Sequence, residues 1–242
     1  MTIAREFFSN FTKIKRTPLL LLHLLPPLVF TTLFLVYYNS GGYHLFSDVR
    51  LFFILLQICY PMFVSFVVPI FINLDRNISN VQNALGIVGS RRSVYLGKLF
   101  FLLFLSATSI ILYELCFYIG VNFFLNMNIM DFDSHFFIFC SFLLSNLFLY
   151  FIHVPIAFKF GFSVSVLSGI AGTILAGYYE NFIGDKIWAI PWEWGVRFLK
   201  NYFNLTCGSV IPGVISLIII TSVILVLTIL WYSRWEGRVI QE

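Results

Sequence analysis

Six long apolar stretches constrain this chain more than any other feature: residues 18–38, 51–72, 99–125, 135–158, 160–180 and 211–232. Each reaches the roughly 17–25 residues that an α-helix needs to cross a hydrocarbon core about 30 Å thick. Lipid offers no hydrogen bonds, so such stretches must satisfy their own amides as helices. The composition points the same way, with 60% hydrophobic and only 11% charged residues and a mean hydropathy of +0.91. A soluble domain carries about 25% charged residues and with this load would leave large apolar patches in water. A soluble globular enzyme, a disordered chain and a nucleic-acid-binding module are therefore excluded. The expected fold is all-α and integral to the membrane, a single domain over residues 1–242 with six transmembrane helices. The fourth and fifth stretches are nearly continuous, and Lys159 followed by Gly161 predicts a tight helical turn between them.

The basic residues set the expected orientation. Eleven of the 15 Lys and Arg fall in the N-terminal tail, the loop after the second stretch, the turn at Lys159 and the C-terminal tail. The opposite connections hold four: Arg50, Lys186, Arg197 and Lys200. Both termini are thus expected in the cytoplasm of a multi-pass protein of the cell membrane. Residues 1–17 read as an interfacial helix, with Ile3, Ala4, Phe7, Phe8, Phe11 and Ile14 on the apolar face and Arg5, Ser9, Asn10, Lys13 and Arg16 on the polar one. Such a helix lies against anionic headgroups or simply anchors the N-terminus inside.

Residues 73–98 are too long a connection to be a bare turn. Ile78, Val81, Leu85 and Val88 share one helical face, with Asp75, Arg76, Asn77, Asn80, Gln82 and Asn83 placed around it. Gly86 and Gly89 then break the pattern before Arg91 and Arg92. A short amphipathic helix with a donor-rich face suits a soluble cytoplasmic partner; a solvated loop whose arginines fix topology is the plainer reading. On the opposite side, residues 181–210 interleave Trp188, Trp192, Trp194, Phe198 and Tyr202 with Glu193, Arg197 and Lys200. This pattern predicts an outer surface that meets a peptide or lipid, or an aromatic belt at the headgroups.

Inside the spans, Glu114 is a carboxylate expected near the middle of the third stretch, where charge is costly. It either contacts a cationic substrate or fixes helix packing. Ser165, Gly169, Thr173 and Gly177 recur every fourth residue, the small-residue spacing that lets helices approach closely. The contact is within the chain or with a second permease chain.

The segment Asp75…Asn80-Val81-Gln82-Asn83-Ala84-Leu85-Gly86…Ser90-Arg91…Tyr95-Leu96-Gly97-Lys98 resembles the cytoplasmic loop of ABC-2-type ABC-transporter permeases, in particular the LanE and LanG lantibiotic-immunity subunits of bacteria. Lys15-Arg16-Thr17-Pro18 before a leucine run and Ile190-Pro191-Trp192-Glu193-Trp194-Gly195 before the last span are similar to that group as well. The resemblance implies that the loop carries a coupling helix docking into a separate ATP-binding subunit, expected in two copies. Asp75, Arg76, Asn77, Asn80, Gln82, Asn83, Arg91, Arg92 and Lys98 would then be the coupling residues. It further implies a second permease subunit, like or unlike this one, and a cationic antimicrobial peptide as cargo, expelled from the membrane. ATP and Mg would be bound by the partner ATPase, not by this chain.

No phosphate-binding loop is present: Arg92 stands where its first Gly belongs and Leu99 where Ser or Thr belongs. The histidines have no metal-ligand spacing. No catalytic residue, metal or cofactor is therefore expected in the chain itself. A non-transport membrane protein, such as an accessory or sensor subunit binding a peptide or lipid at its outer face, is the alternative from a different class.

Overall fold

A computed structural model describes residues 3–15, 17–41, 45–78, 90–125, 130–179, 188–205 and 208–235. Among these residues the chain is helical throughout and no strand occurs. Helix α1 covers Ile3–Ile14, α2 Leu19–Gly41, α3 Leu45–Ile78 and α4 Arg91–Ile119, which tightens into a π-helical turn at Gly120–Phe124. Helix α5 covers Phe132–Ser145 and α6 Leu147–Tyr179. A 3₁₀ turn at Pro191–Glu193 leads into α7, Trp194–Tyr202, and α8 covers Ile211–Arg234. Five stretches among the described residues are long and apolar enough to cross a membrane, and this is a multi-pass helical membrane protein.

One of those stretches, Phe132–Tyr179, is 48 residues long and folds back on itself. Gly161 interrupts α6 at φ 87° and ψ −161°, a backbone region open essentially to glycine alone. Residues 12 apart in a straight helix are separated by about 18 Å, yet His153 Nδ1 lies 3.0 Å from Ser165 Oγ. The chain therefore reverses at Gly161, as the Lys159–Gly161 punctuation predicts, and α6 is a hairpin of two arms. The stretch expected as one helix over 135–158 is in fact broken at Asn146, where the side-chain amide Nδ2 turns back to the Phe142 carbonyl at 2.7 Å.

Helices α3 and α6 form the most extensive packed pair. The row predicted from sequence lies in this seam. A Cβ on Gly169 would stand 2.2 Å from Ser65 Cβ, so only glycine permits the approach. Ser165 Oγ donates to the Ser65 carbonyl at 3.2 Å, and Thr173 Oγ1 accepts from the Met62 amide at 3.2 Å. The row thus makes a contact within the chain. The first of these bonds has a clear cause. Pro69 has no N–H, so the carbonyl four residues before it, Ser65, loses its helical donor, and Ser165 replaces it. Pro27 orphans the His23 carbonyl in the same way, and Ser109 Oγ of α4 donates to it at 3.1 Å. At Pro27 and Pro69 neighbouring hydroxyls thus take over the freed acceptors.

The two ends of the bundle differ. At one end α1 lies on α4, the α6 turn sets Phe158 against Tyr232 and Trp235 of the α8 terminus, and Arg91 Nη1 donates to the Trp235 carbonyl at 2.8 Å. Arg5, Lys13, Lys15, Arg91, Arg92, Lys98, Lys159 and Arg234 gather there. At the other end lie the start of α3 with Arg50, the start of α5, and α7 with Arg197 and Lys200. Elsewhere α2 and α8 expose long apolar faces, from Leu21 to Tyr37 and from Ile211 to Leu230, as lipid-facing helices should.

The seam yields a controlled prediction. Gly169→Ala overlaps Ser65 and the Pro61 carbonyl and should lower stability by roughly 1–3 kcal/mol. Gly177→Ala, whose Cβ would meet Ile58 at an ordinary 3.7 Å, should leave stability unchanged or raise it slightly. Thermal melts of both variants in the same detergent measure the difference.

Candidate functional site

The expected coupling segment is only partly within the described residues. Asn80, Gln82 and Asn83 lie outside them, and Asp75, Arg76 and Asn77 fall on the last turns of α3, which remains helical to Ile78. Helix α4 starts at Arg91, capped by Ser90, whose Oγ accepts from the Ser93 amide at 3.4 Å. The connection between helices is thus shorter than the 73–98 read from sequence, because both helices continue past their apolar stretches. Arg92 is exposed, whereas Arg91 is half-buried on the Trp235 carbonyl.

Lys98 departs from its expected place in the loop. It is 4% exposed inside α4, with Nζ 3.5 Å from Glu6 Oε1 and 5.8 Å from the centre of the Phe71 ring. Lys13 reaches the same carboxylate oxygen at 3.4 Å. Gly97 permits this: a Cβ there would stand 2.7 Å from Glu6 Cβ. Helix α1 is therefore clamped on α4 through a buried carboxylate, with Phe7 and Phe11 edge-on against Phe101 and Phe104. Its protein-facing edge is Glu6, Asn10 and Ile14, so Asn10, expected on the polar outer face, is fully buried. Phe8, expected on the apolar face, is 67% exposed on the far side.

The outer aromatic segment also departs from expectation. Trp194 and Glu193 are 0% exposed, Arg197 6% and Trp188 8%, and Trp192 is half-buried, so these residues plug the bundle end rather than forming a surface or a headgroup belt. Trp194 Nε1 donates to the Trp188 carbonyl at 2.8 Å, and Trp192 fits between Phe148 and the Cβ-free face of Gly172. Glu193 and Arg197 pair at 3.5 Å across one helical turn. Beneath them Gln57 presses on Gly195 and exchanges amide bonds with Asn146 at 3.0 and 3.3 Å. Amphipathic spacing alone cannot separate a plug from a belt, because both put aromatics on one face.

Glu114 is half-buried, unlike the buried carboxylates of Glu6 and Glu193. It stands about 22 Å along α4 from Leu99, close to the midpoint of the 99–125 stretch. His135 of α5, only one turn from the start of that helix, places Nδ1 2.6 Å from Glu114 Oε2. The carboxylate accepts, so the imidazole Nδ1–H donates. The pair lines a groove of about 510 Å³ between α4 and α5, bounded also by Ile111, Leu115, Tyr118, Met130, Asp131, Phe132, Phe136 and Phe139. Sequence spacing missed His135 as a partner because it lies on another helix. A second, largely apolar groove of about 320 Å³ lies between α2, α3 and α4, lined by Phe30, Phe34, Phe52 and Tyr113 among others. Among the described residues no cluster of His, Cys, Asp and Glu could hold a metal ion. Compared with protein-family models, curated proteins and solved structures, the chain matches none.

The α1 clamp is testable. Glu6→Ala takes the carboxylate from buried Lys98 and should cost roughly 3 kcal/mol, the range for breaking a buried pair. The double replacement Glu6→Met with Lys98→Met should recover most of that loss. Melting temperature, and protease cleavage within residues 3–15, give the readouts.

Proposed function

We propose that this chain is the transmembrane permease subunit of an ATP-driven exporter that expels a lantibiotic-like cationic peptide and so confers self-immunity. The two arms of α6 count as separate spans, giving six, and the cation-rich end faces the cytoplasm. Both termini are then inside, and the protein sits in the cell membrane. A separate ATP-binding subunit, in two copies, binds nucleotide and Mg and docks on residues 73–98. A second permease subunit completes the path.

The observation that carries this reading is the mounting of that connection. Helix α3 is 34 residues long, about 51 Å at 1.5 Å per residue, against a core of about 30 Å. It projects as one rod toward the connection, and α4 leaves it as a second rod pinned by Arg91 to the α8 terminus and by Lys98 to α1. A push on residues 79–89 would be delivered to both rods. This is what a lever driven by a partner motor requires. The transported class and the immunity role rest on the resemblance of the loop and of residues 190–195 to lantibiotic-immunity permeases.

Tagged protein co-expressed with candidate ATP-binding subunits should retain one of them on purification. Arg92→Glu, an exposed change, should reduce that retention about tenfold at unchanged melting temperature, tenfold being about 1.4 kcal/mol of binding. Arg91→Glu should also lower stability, since it loses the Trp235 carbonyl. Cells carrying the complete set of subunits should survive added lantibiotic better than cells lacking this chain. Failure to retain any ATPase, with survival unchanged, would remove the transport reading.

A further inference from the structure

We infer that the groove between α4 and α5 is the binding site for a short cationic, apolar segment of an amphipathic peptide, with Glu114 and Asp131 receiving its ammonium group. The inference deepens the exporter reading and rests on it for the biological source of the peptide. The site's chemistry stands on the groove itself. Its volume, about 510 Å³, falls in the roughly 300–1,000 Å³ range of ligand sites and admits a few side chains rather than a whole peptide. Its walls are aromatic and aliphatic, and Phe132 and Phe136 are 81% and 58% exposed at its mouth.

The groove's two carboxylates outnumber its one basic group, His135, which is bonded to Glu114. Glu114 and Asp131 line the groove and no Lys or Arg does. Glu114 is held by His135 through Oε2, which fixes the carboxylate and leaves Oε1 as the acceptor for an incoming donor. Asp131 stands exposed at the rim, just before the first turn of α5. A cation entering from the headgroup zone would meet Asp131 first, pass the faces of Phe132 and Phe136, which attract ammonium groups, and reach Glu114 in a drier place where the attraction is stronger.

Charge complementarity also selects between occupants. A zwitterionic phospholipid would bring a phosphate that finds no Lys or Arg among the groove's lining residues, only His135 already bonded to Glu114, next to two carboxylates. A peptide lysine flanked by apolar residues brings the ammonium and the apolar contacts without an anion. The peptide is therefore the occupant the lining fits.

The test uses the full chain in phosphatidylcholine nanodiscs and a dansylated amphipathic peptide of lysine and leucine, with fluorescence anisotropy as the readout. Glu114→Gln should weaken binding about tenfold and Asp131→Asn, at an exposed position that cannot disturb packing, about threefold. Acetylating the peptide lysines should abolish the difference between these variants and the unaltered chain. Equal binding by all three chains would overturn the inference, as would equal weakening with the acetylated peptide. Loss of peptide binding on adding phosphatidylethanolamine would overturn it too, since a lipid would then be the occupant. These outcomes do not depend on ATPase retention, so the site and the exporter reading can fail separately.

Discussion

Everything in this fold depends on how polar groups are satisfied where water is absent. Pro27 of α2 and Pro69 of α3 each strip a carbonyl of its helical donor, and a hydrocarbon solvent cannot replace it. Serines on neighbouring helices do so instead: Ser109 serves the His23 carbonyl and Ser165 the Ser65 carbonyl. Each bond fixes the register of one helix on another. Ser165 can donate only once, so the His153 imidazole must donate to it, which ties both arms of the α6 hairpin to α3 in a single chain of bonds. Gly169 allows the close approach that these bonds need. Kinking residues, small residues and hydroxyls therefore form one device rather than three separate features.

The same economy organises the ends. At the cation-rich end a single buried carboxylate, Glu6, collects Lys13 and Lys98 and so fastens an amphipathic helix to the rod that leaves the connection at Arg91. At the other end the Glu193–Arg197 pair and the Gln57–Asn146 amide exchange sit under a cap of tryptophans. Both ends are buried where they meet the bundle. The α4–α5 groove differs from both, with carboxylates and exposed aromatics open to a ligand.

Much of this was legible in the chain. Apolar length marked the membrane helices, the Lys159–Gly161 punctuation marked the reversal, and the four-residue spacing from Ser165 to Gly177 marked a close helix contact. What could not be read was which of two environments a face meets. Asn10 looks like the solvent edge of an interfacial helix until α4 covers it. Trp188 to Arg197 look like a headgroup surface until α7 folds under the bundle end. Glu114 stood out as a charge among apolar residues, but its partner depended on the packing of α5. Periodicity defines faces; only tertiary contact says what lies against them.

The orientation of the two ends supports both the lever and the groove, and cysteine labelling in intact cells probes it most directly. With the four native cysteines replaced, single cysteines at positions 15, 92, 131, 159 and 204 would be exposed to a membrane-impermeant maleimide. Labelling at 131 and 204 from outside, with 15, 92 and 159 protected until the cells are opened, is the expected pattern. External labelling at 159 or 92, or protection at 131, would place the groove and the lever on the wrong sides of the membrane and contradict the assignment.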